Sequence, residues 1–294
     1  MRDHIQTDLA IEERERFEKN VEIDGVVLKK KRVGNACNVT TMEITTDYGS
    51  KKMNKPKGCY VTLEYSNPFE NAKNIADTLK DVLVEKLKTI VPKKIMVVGL
   101  GNDKATPDSL GPKVVEKISI TDRVCCIVPG VCGRTGVESF NIVRGVCKEE
   151  KPDLILAVDS LAARNVSRIT RTIQFTDTGI VPGSGVGNHR IGLNSDTIGI
   201  PVVALGAPTV INSVTIVHDT LNQLLDYLGN YEQMRNVTKT FEILTSKEKY
   251  DLIEDVMSGG VGKMYVTPKD IDEVIECLTY IFSTAINEAC ALDK

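Results

Sequence analysis

Three short, continuous apolar runs most constrain the fold of this 294-residue chain. They are KKIMVVGLG (93–101), DLILAVDS (153–160) and IPVVALGAP (200–208). A short apolar run bounded by turn-forming residues is typical of a strand that is covered on both faces. Because a plausible helix or loop precedes each run, strands and helices alternate through the middle of the chain. The sequence therefore predicts an α/β fold built on a parallel sheet.

The flanking segments predict further elements. Residues 25–65 contain VVLKKKRV, NVTTMEITTDY and CYVTLEY, whose alternation of apolar and polar residues predicts strands with one solvated face. Residues 68–90 carry apolar residues at three- and four-residue steps, which predicts an amphipathic helix. Residues 208–229 are also predicted to be helical, and so is the tail, in a helix opened by Pro268 near its first turn.

Composition excludes several classes of protein. Hydrophobic residues make up 41% and charged residues 26% of the chain, as in ordinary globular proteins, and a formal net charge of −3 favours neither nucleic acid nor anionic membranes as a partner. No apolar run approaches the ~18 residues of a spanning helix, and the first twenty residues lack a secretory signal, so a cytoplasmic location is expected. Eight cysteines without a C-x-x-C pair predict reduced thiols.

The motif GLGNDKATPDSLGP (99–112) begins where a predicted strand ends. It does not fit a dinucleotide-binding fingerprint, because the third glycine is missing at its place and Pro107 precedes any helix. Asp108 lies in this motif. Its side chain could cap the helix that follows, or it could belong to a functional site.

Asp159 directly follows the apolar run LILAV, so it is expected at the carboxyl end of a core strand. Ligands of open α/β sheets bind at that edge, although Asp159 could also be a helix cap. If Asp108 and Asp159 converge there, repulsion between two carboxylates would keep one protonated. Such a pair can activate water with one group and donate a proton with the other, as in aspartic proteases.

The Gly/Pro-rich segment 175–190 is too long for a simple connector, which favours a functional loop. Backbone amides between Gly183 and Gly187 could bind an anion or an oxyanion. Other hydrolytic sites fit poorly: Ser184 lacks the G-x-S-x-G spacing, only His189 or His218 could assist a cysteine, and there is no HExxH motif.

Five stretches in fixed order resemble the germination protease family of spore-forming bacteria: VVGLGNDKATPDSLGP, PGVCGRTGVES, PDLILAVDSLAARN, TDTGIVPGSGVGNHR and GIPVVALGAPTVI. The resemblance implies an endopeptidase that degrades small acid-soluble spore proteins in the spore core. With only three histidines in the chain, a carboxylate pair without a cofactor or metal is expected. Asp108 and Asp159 match the family's proposed catalytic aspartates. The supporting or substrate-binding candidates are Asn102, Asp177, Gly183, Gly185 and Gly187.

The resemblance also implies a three-layer fold, in which helices flank a central, mostly parallel mixed sheet, similar to hydrogenase maturation peptidases, with an additional N-terminal β-rich portion. Those peptidases carry a G-x-G-N turn followed by a nickel-binding acidic residue. A metal-assisted peptidase with Asp108 as a ligand is therefore an alternative, since carboxylates suit hard divalent cations. A non-catalytic module that binds an anion through the glycine loops is another.

The family is made as a zymogen and cuts within sequences of the type Thr/Ser-acidic-hydrophobic-Ala. Thr7-Asp8-Leu9-Ala10 resembles that pattern, so autocleavage between Asp8 and Leu9 is expected in a solvated leader. Alternatively, Thr7 or Asp8 caps the first helix. The expected division is a propeptide, residues 1–8, and one α/β peptidase domain, residues 9–294, with a β-rich portion at 25–65, an α/β core at 93–230 and a final helix within 263–294. A homotetramer is the family expectation.

Overall fold

The computed structural model describes residues 7–18, 21–34, 37–183, 190–258 and 264–291. Within these ranges nine strands form a single sheet. Their bounds are β1 (Val26–Val33), β2 (Cys37–Ile44), β3 (Gly58–Tyr65), β4 (Ile95–Gly99), β5 (Val124–Ile127), β6 (Leu154–Ala163), β7 (Thr172–Thr176), β8 (Val202–Asn212) and β9 (Tyr265–Val266).

The sheet has a parallel half and an antiparallel half. Its order is β1-β2-β3-β7-β8-β6-β4-β5, and β9 pairs with β8. The strands β8, β6, β4 and β5 pair in parallel, whereas β1, β2, β3, β7 and β9 join by antiparallel pairing. The mixed sheet that the family resemblance implies is therefore confirmed, and the N-terminal β-rich portion continues this same sheet through the β3–β7 and β7–β8 pairs.

Helices cover both faces of the sheet. Side chains alternate along β4: Ile95 and Val97 pack into one apolar core, and Met96 and Val98 into the other. The helices are α1 (Ala10–Arg14), α2 (Asp47–Met53), α3 (Pro68–Ile90), α4 (Leu110–Val115), α5 (Cys132–Thr135), α6 (Ser139–Glu150), α7 (Ser195–Ile198), α8 (Ser213–Leu228), α9 (Arg235–Glu242), α10 (Ser246–Ser258) and α11 (Ile271–Ala291).

The two cores belong to different helices. The first core contains the buried faces of α3, α4 and α11, and the second contains that of α6. This arrangement confirms the three-layer architecture. In the described part of the chain, no helix has the length and apolarity needed to cross a membrane.

Several predicted elements match the structure, and others differ in their bounds. Helix α3 spans Pro68–Ile90, as its apolar stripe predicts, and Asn67 caps it by accepting a hydrogen bond from the Phe69 N–H. However, β2 ends at Ile44, because Thr46 caps α2 instead of continuing the strand. The helix predicted from residue 208 begins only at Ser213, because β6 and β9 extend beside β8 and keep it extended as far as Asn212.

Strand β6 also continues beyond the predicted position. Asp159 was expected at the end of its strand, but β6 runs on to Ala163 because β8 pairs with it throughout. The neighbour on the other side, β4, ends at Gly99, opposite Val158. Asp159 therefore lies inside β6, at the point where the sheet loses a strand on one side and a cavity can open.

Candidate active site

A cavity of about 410 Å³ opens at this step in the sheet. Asp108 and Asp159 both line it, so the structure brings the two sequence-predicted carboxyl groups to one place. Asp8, Gly183 and Arg190 contribute to the same cavity. Three acidic side chains and one guanidinium thus share a partly enclosed space.

Asp108 is positioned by a tight turn between β4 and α4. The turn, Thr106–Asp108, is fastened at one end by the Asn102 N–H, which donates to the Asp108 carbonyl at 2.9 Å. The buried Thr209 hydroxyl donates to the Pro107 carbonyl at 2.6 Å and ties the turn to β8. Ser109 is the N-cap residue of α4 and no side-chain capping bond is present, so the helix-cap alternative for Asp108 finds no support.

Asp159 is almost completely buried, with 4% of its surface exposed. Its Oδ1 accepts a hydrogen bond of 2.9 Å from the Ser160 N–H. Alternation along β6 places its side chain on the same face as Ile155 and Ala157, which is the face covered by α6. Because Asp159 lies within a strand, it does not cap a helix.

Both carboxyl groups have pKa values above the ordinary value of 3.8. Burial raises the pKa of Asp108 to about 6, while the Asn102 N–H and Arg190 act in the opposite direction. Burial, followed by the negative charges of Asp108 and Asp8, raises the pKa of Asp159 well above the ordinary value. Burial therefore favours the protonated form of both carboxyl groups, and at Asp159 the neighbouring negative charges act in the same direction.

The N-terminal segment runs along the end of β6 beside this cavity. The Asp8 N–H donates to the Ala162 carbonyl at 3.1 Å, and the Ala162 N–H donates to Asp8 Oδ2 at 2.9 Å. Leu9 and Ala10 are fully buried. The prediction of a solvated leader is therefore wrong for residues 9–14, which are all buried, with Leu9 and Ala10 in apolar clusters of the sheet.

Two side chains hold the backbone around Leu9. Lys55 Nζ and Gln174 Nε2 each donate to the Asp8 carbonyl oxygen at 3.0 Å, and Gln174 Oε1 accepts from the Ala10 N–H at 2.6 Å. Helix α1 has Leu9 as its N-cap without a side-chain bond, so neither Thr7 nor Asp8 caps it. Instead, Asp8 lines the cavity and its carbonyl oxygen accepts from two donors.

Gln174 and the cavity belong to the same surface of the sheet. Gly206 of β8 pairs with Gln174 on one side and with Asp159 on the other. Paired residues point to the same face, so the Gln174 and Asp159 side chains lie on one face, about 10 Å apart across two strand spacings. Gly206 carries no side chain, and the Leu161 side chain packs over it: a Cβ at Gly206 would lie 2.6 Å from Leu161 Cγ.

The other predicted site residues are dispersed. Asn102 supports the Asp108 turn, and Gly183 lines the cavity. Asp177 is not among the described residues that line it: Asp177 accepts from the Cys59 N–H at 2.8 Å and forms an ion pair with Lys86 at 2.7 Å. Gly185 and Gly187, like Ser184 and His189, lie outside the described residues.

Two histidines, His189 and His218, could assist a catalytic cysteine, and of these His218 lies within the described residues. It is buried in α8, next to Asp219 and Asn222. The described ranges contain no group of three His, Cys, Asp or Glu side chains arranged to hold a metal ion.

The sequence patterns do not identify Arg190, Lys55 and Gln174 as site residues. Arg190 lies at the end of the glycine-rich segment 175–190, and no motif links Lys55 or Gln174 to residue 8. Gln174 is a polar residue in the middle of β7, and all five residues of this strand, Thr172–Thr176, are buried. A buried polar side chain needs a hydrogen-bonding partner, which would have marked Gln174 for attention.

Comparisons with known proteins identify the family. The family model Peptidase_A25, described as germination protease, matches residues 5–246. The chain belongs to the germination protease family. A germination protease of Clostridium tetani is 41% identical over 97% of this chain and 95% of its own length. A germination protease of Clostridium perfringens is 38% identical over 97% of this chain and 95% of its own length. One of Priestia megaterium is 33% identical over 96% of this chain and 90% of its own length.

A hydrogenase maturation protease, HycI of Thermococcus kodakarensis, is a similar solved structure. It is 23% identical and covers 44% of this chain and 80% of its own, with a TM-score of 0.34. Membership of the germination protease family establishes the chain as a peptidase.

Proposed function

We propose that this chain is the endopeptidase that starts the degradation of small acid-soluble spore proteins in the spore core during germination. Family membership supports the reaction class. The observation that carries the proposal is the pairing of Asp108 and Asp159 in one cavity, where the pKa values of both carboxyl groups are raised.

The two carboxyl groups have complementary roles in this proposal. Asp108, whose pKa is about 6, is ionised at neutral pH and takes a proton from water. The oxygen of that water forms a bond to the carbonyl carbon of the substrate. Asp159, whose pKa is raised by burial and by the charges of Asp108 and Asp8, is assigned the acid role and donates its proton to the leaving nitrogen as the C–N bond breaks. Each turnover adds one proton to Asp108 and removes one from Asp159. Proton exchange with water then restores the ionised Asp108 and the protonated Asp159.

The same site is proposed to process the chain itself between Asp8 and Leu9. Asp8 lines the cavity and its charge raises the pKa of Asp159. Lys55 and Gln174 donate to the Asp8 carbonyl oxygen, where negative charge develops when water attacks. The unprocessed chain is then inactive toward other proteins because its own residues occupy the cavity.

Hydrolysis of a purified small acid-soluble spore protein tests the proposal. We expect a rate that rises between pH 5 and pH 7, because Asp108 must lose its proton to act as a base. With a pKa near 6, the rate at pH 5 is about one tenth of the maximum. The rate should be the same with and without a chelator.

Each other outcome supports a different function. A rate that vanishes on chelation and returns with a divalent cation would favour the metal-assisted peptidase with Asp108 as a ligand. Saturable phosphate binding without peptide-bond cleavage would favour the anion-binding module.

The processed chain should begin at Leu9. N-terminal sequencing or intact mass measurement of the matured protein checks this expectation, and a chain with Asp108→Asn should keep residues 1–8. Any other first residue, or unchanged processing in the Asp108→Asn chain, would contradict autocleavage at the Asp8–Leu9 bond by this site.

A further inference from the structure

Thr209 is a polar residue of β8 that lies beside the turn carrying Asp108. It is completely buried, with 0% of its surface exposed, and it borders the cavity. Its hydroxyl donates to the Pro107 carbonyl oxygen at 2.6 Å. Because proline has no N–H group, the carbonyl is the main-chain group through which Pro107 can be bonded to the sheet.

A β-bulge directs the Thr209 side chain toward this turn. Residues 161 and 162 of β6 pair with residues 208 and 210 of β8, so Thr209 is the extra residue of the bulge. In a regular strand Ala207 and Ile211 would share a face, yet Ala207 packs in the core with α4 and α11, and Ile211 packs in the cluster of Leu9. The extra residue thus lets β8 present Thr209 to the turn and still bury Ile211 against Leu9.

The Thr209 bond differs from the other hydrogen bonds of the turn. The Asp108 N–H donates to the Ala105 carbonyl at 2.7 Å, and the Asp108 carbonyl accepts from the Asn102 N–H at 2.9 Å. These bonds join residues that are close in sequence, so they shape the turn. Thr209, in contrast, belongs to β8, which pairs with the strand of Asp159. Its bond therefore fixes the position of Asp108 relative to Asp159.

Thr209 is itself held by the segment that leads into α11. The Thr267 hydroxyl donates to the Thr209 carbonyl oxygen at 2.9 Å. Just before Thr267, β9 pairs with β8, and the Ser213 N–H donates to the Met264 carbonyl at 2.9 Å. Two consecutive hydroxyl-to-carbonyl bonds therefore connect the C-terminal part of the chain to the turn of Asp108.

We propose that Thr209 is a positioning residue for hydrolysis: its hydroxyl fixes the turn of Asp108 relative to Asp159, and Thr267 holds Thr209 in place. This inference rests on the proposed function, in which Asp108 is the base. Without the hydroxyl, the Pro107 carbonyl loses its donor and the turn moves toward water to regain one. A displacement of about 1 Å at a catalytic group is sufficient for a large loss of rate.

Three variants test this role. Thr209→Val keeps the size and branching of the side chain and removes the hydroxyl, whereas Thr209→Ser keeps the hydroxyl. Thr78→Val is the matched control. Thr78 is also buried, and its hydroxyl donates to the Asn74 carbonyl at 2.8 Å, but it lies in α3 and is not among the described residues that line the cavity.

Hydrolysis of a purified small acid-soluble spore protein provides the first measurement. We expect Thr209→Val to lower kcat about tenfold or more, with KM within about twofold of the wild type, because the turn moves while the contacts to substrate remain. Thr209→Ser should recover kcat to within about threefold of the wild type, and Thr78→Val should stay within about twofold. Rates are divided by the folded fraction from urea unfolding curves. A wild-type kcat in Thr209→Val would overturn the inference.

A double-mutant cycle shows whether Thr209 acts through Asp108. If it does, Thr209→Val should change the residual rate of Asp108→Asn by less than about twofold, because the base that it positions is already absent. A loss in the double variant equal to the product of the two single losses would contradict the inference.

The link to Thr267 is tested in the same way. Thr267→Val removes the support of Thr209 without touching the turn, so we expect kcat to fall about threefold. Combined with Thr209→Val, it should cause no further fall. Independent effects of the two substitutions would exclude Thr267 from the proposal.

A titration without substrate separates this inference from the proposed function. The Asp108 carboxyl is followed by NMR in full chains labelled with ¹³C at the aspartate carboxyl groups, and its signal is assigned by its absence in Asp108→Asn. Burial raises the pKa of Asp108 to about 6, against the charge of Arg190, which also lines the cavity with Asp8 and Asp159. In Thr209→Val, movement toward water should lower this pKa by about half a unit or more. Thr78→Val should leave it unchanged.

The outcomes of this titration are distinct. If the pKa falls in Thr209→Val but the wild-type chain cleaves no spore protein, the positioning role stands and the proposed function fails. If the wild type is active and the pKa is the same in Thr209→Val, the proposed function stands and the positioning role is overturned.

Discussion

Asp108→Asn and Asp159→Asn should each lower the hydrolysis of a spore protein by about 10³-fold or more. An amide has the shape of a carboxyl group but neither accepts a proton from water nor donates one to a leaving nitrogen at neutral pH. In Asp159→Asn, the new amide oxygen can still accept the 2.9 Å bond from the Ser160 N–H, which Asp159 Oδ1 accepts in the wild type. Loss of activity should therefore occur without loss of the fold.

Thermal unfolding distinguishes chemistry from stability in these two variants. Asp159 is a carboxyl group with 4% exposure and a raised pKa, so its ionised form opposes folding at high pH. Since the folded state binds the proton more tightly than the unfolded state, stability conferred by the protonated group is lost as pH rises. Asp159→Asn should therefore unfold at a temperature equal to or above that of the wild type at alkaline pH.

Asp177→Asn is the matched control for both variants. Asp177 follows β7 and forms a 2.7 Å ion pair with Lys86, and it is not among the described residues that line the cavity. Its replacement should lower the unfolding temperature while the specific activity of the folded protein stays within a few-fold of the wild type. Full activity in either Asp108→Asn or Asp159→Asn would refute the carboxyl pair.

Elements with strong local patterns could be predicted from the sequence. The apolar stripe of α3, bounded by Asn67 and Pro68 at its start, determines the helix without help from distant residues. The run IMVVG is buried on both sides in β4, as its continuous hydrophobicity indicates. These features depend on residues that are neighbours in sequence, which is why periodicity and capping signals were sufficient.

Elements that depend on distant partners could not be predicted. The bounds of β6 and β8 exceed their apolar runs because each strand extends the other, and the segment after residue 208 has a helical pattern that strand pairing overrides. Glu12 contacts Arg164 and Asn165 across more than 150 residues. The sequence motif at residues 7–12 therefore predicts a cleavage site, but it does not predict the distant residues that contact this segment.

The convergence of Asp108 and Asp159 combines both kinds of information. Each residue follows a strand signal, so the edge of the sheet could be predicted. The depth of Asp159 in the site could not, because it results from β4 ending at Gly99 while β6 continues. Because of that difference in strand length, Asp159 is buried inside the sheet, whereas Asp108 is only half-buried.

Gly101→Ala should lower activity by at least about 100-fold and destabilise the fold by about 2–4 kcal/mol. Gly101 has a φ of +113°, which side-chain-bearing residues rarely adopt, and a Cβ there would lie 2.1 Å from the Asp108 carbonyl oxygen and 3.1 Å from its Oδ1. Relief of this overlap must move the turn that positions Asp108. A displacement of about 1 Å at a catalytic group is sufficient for a loss of this size.

Gly133→Ala is the control for this prediction. Gly133 lies in α5, close to the cavity residue Val131, but an added Cβ there meets no atom within 4 Å. Alanine also favours a helix over glycine by up to about 1 kcal/mol, so Gly133→Ala should keep both activity and stability. Hydrolysis rates and urea unfolding curves of the two variants provide the comparison. If Gly101→Ala has the wild-type rate, Asp108 does not need the position that the turn gives it, and the role of Asp108 as the base must be abandoned.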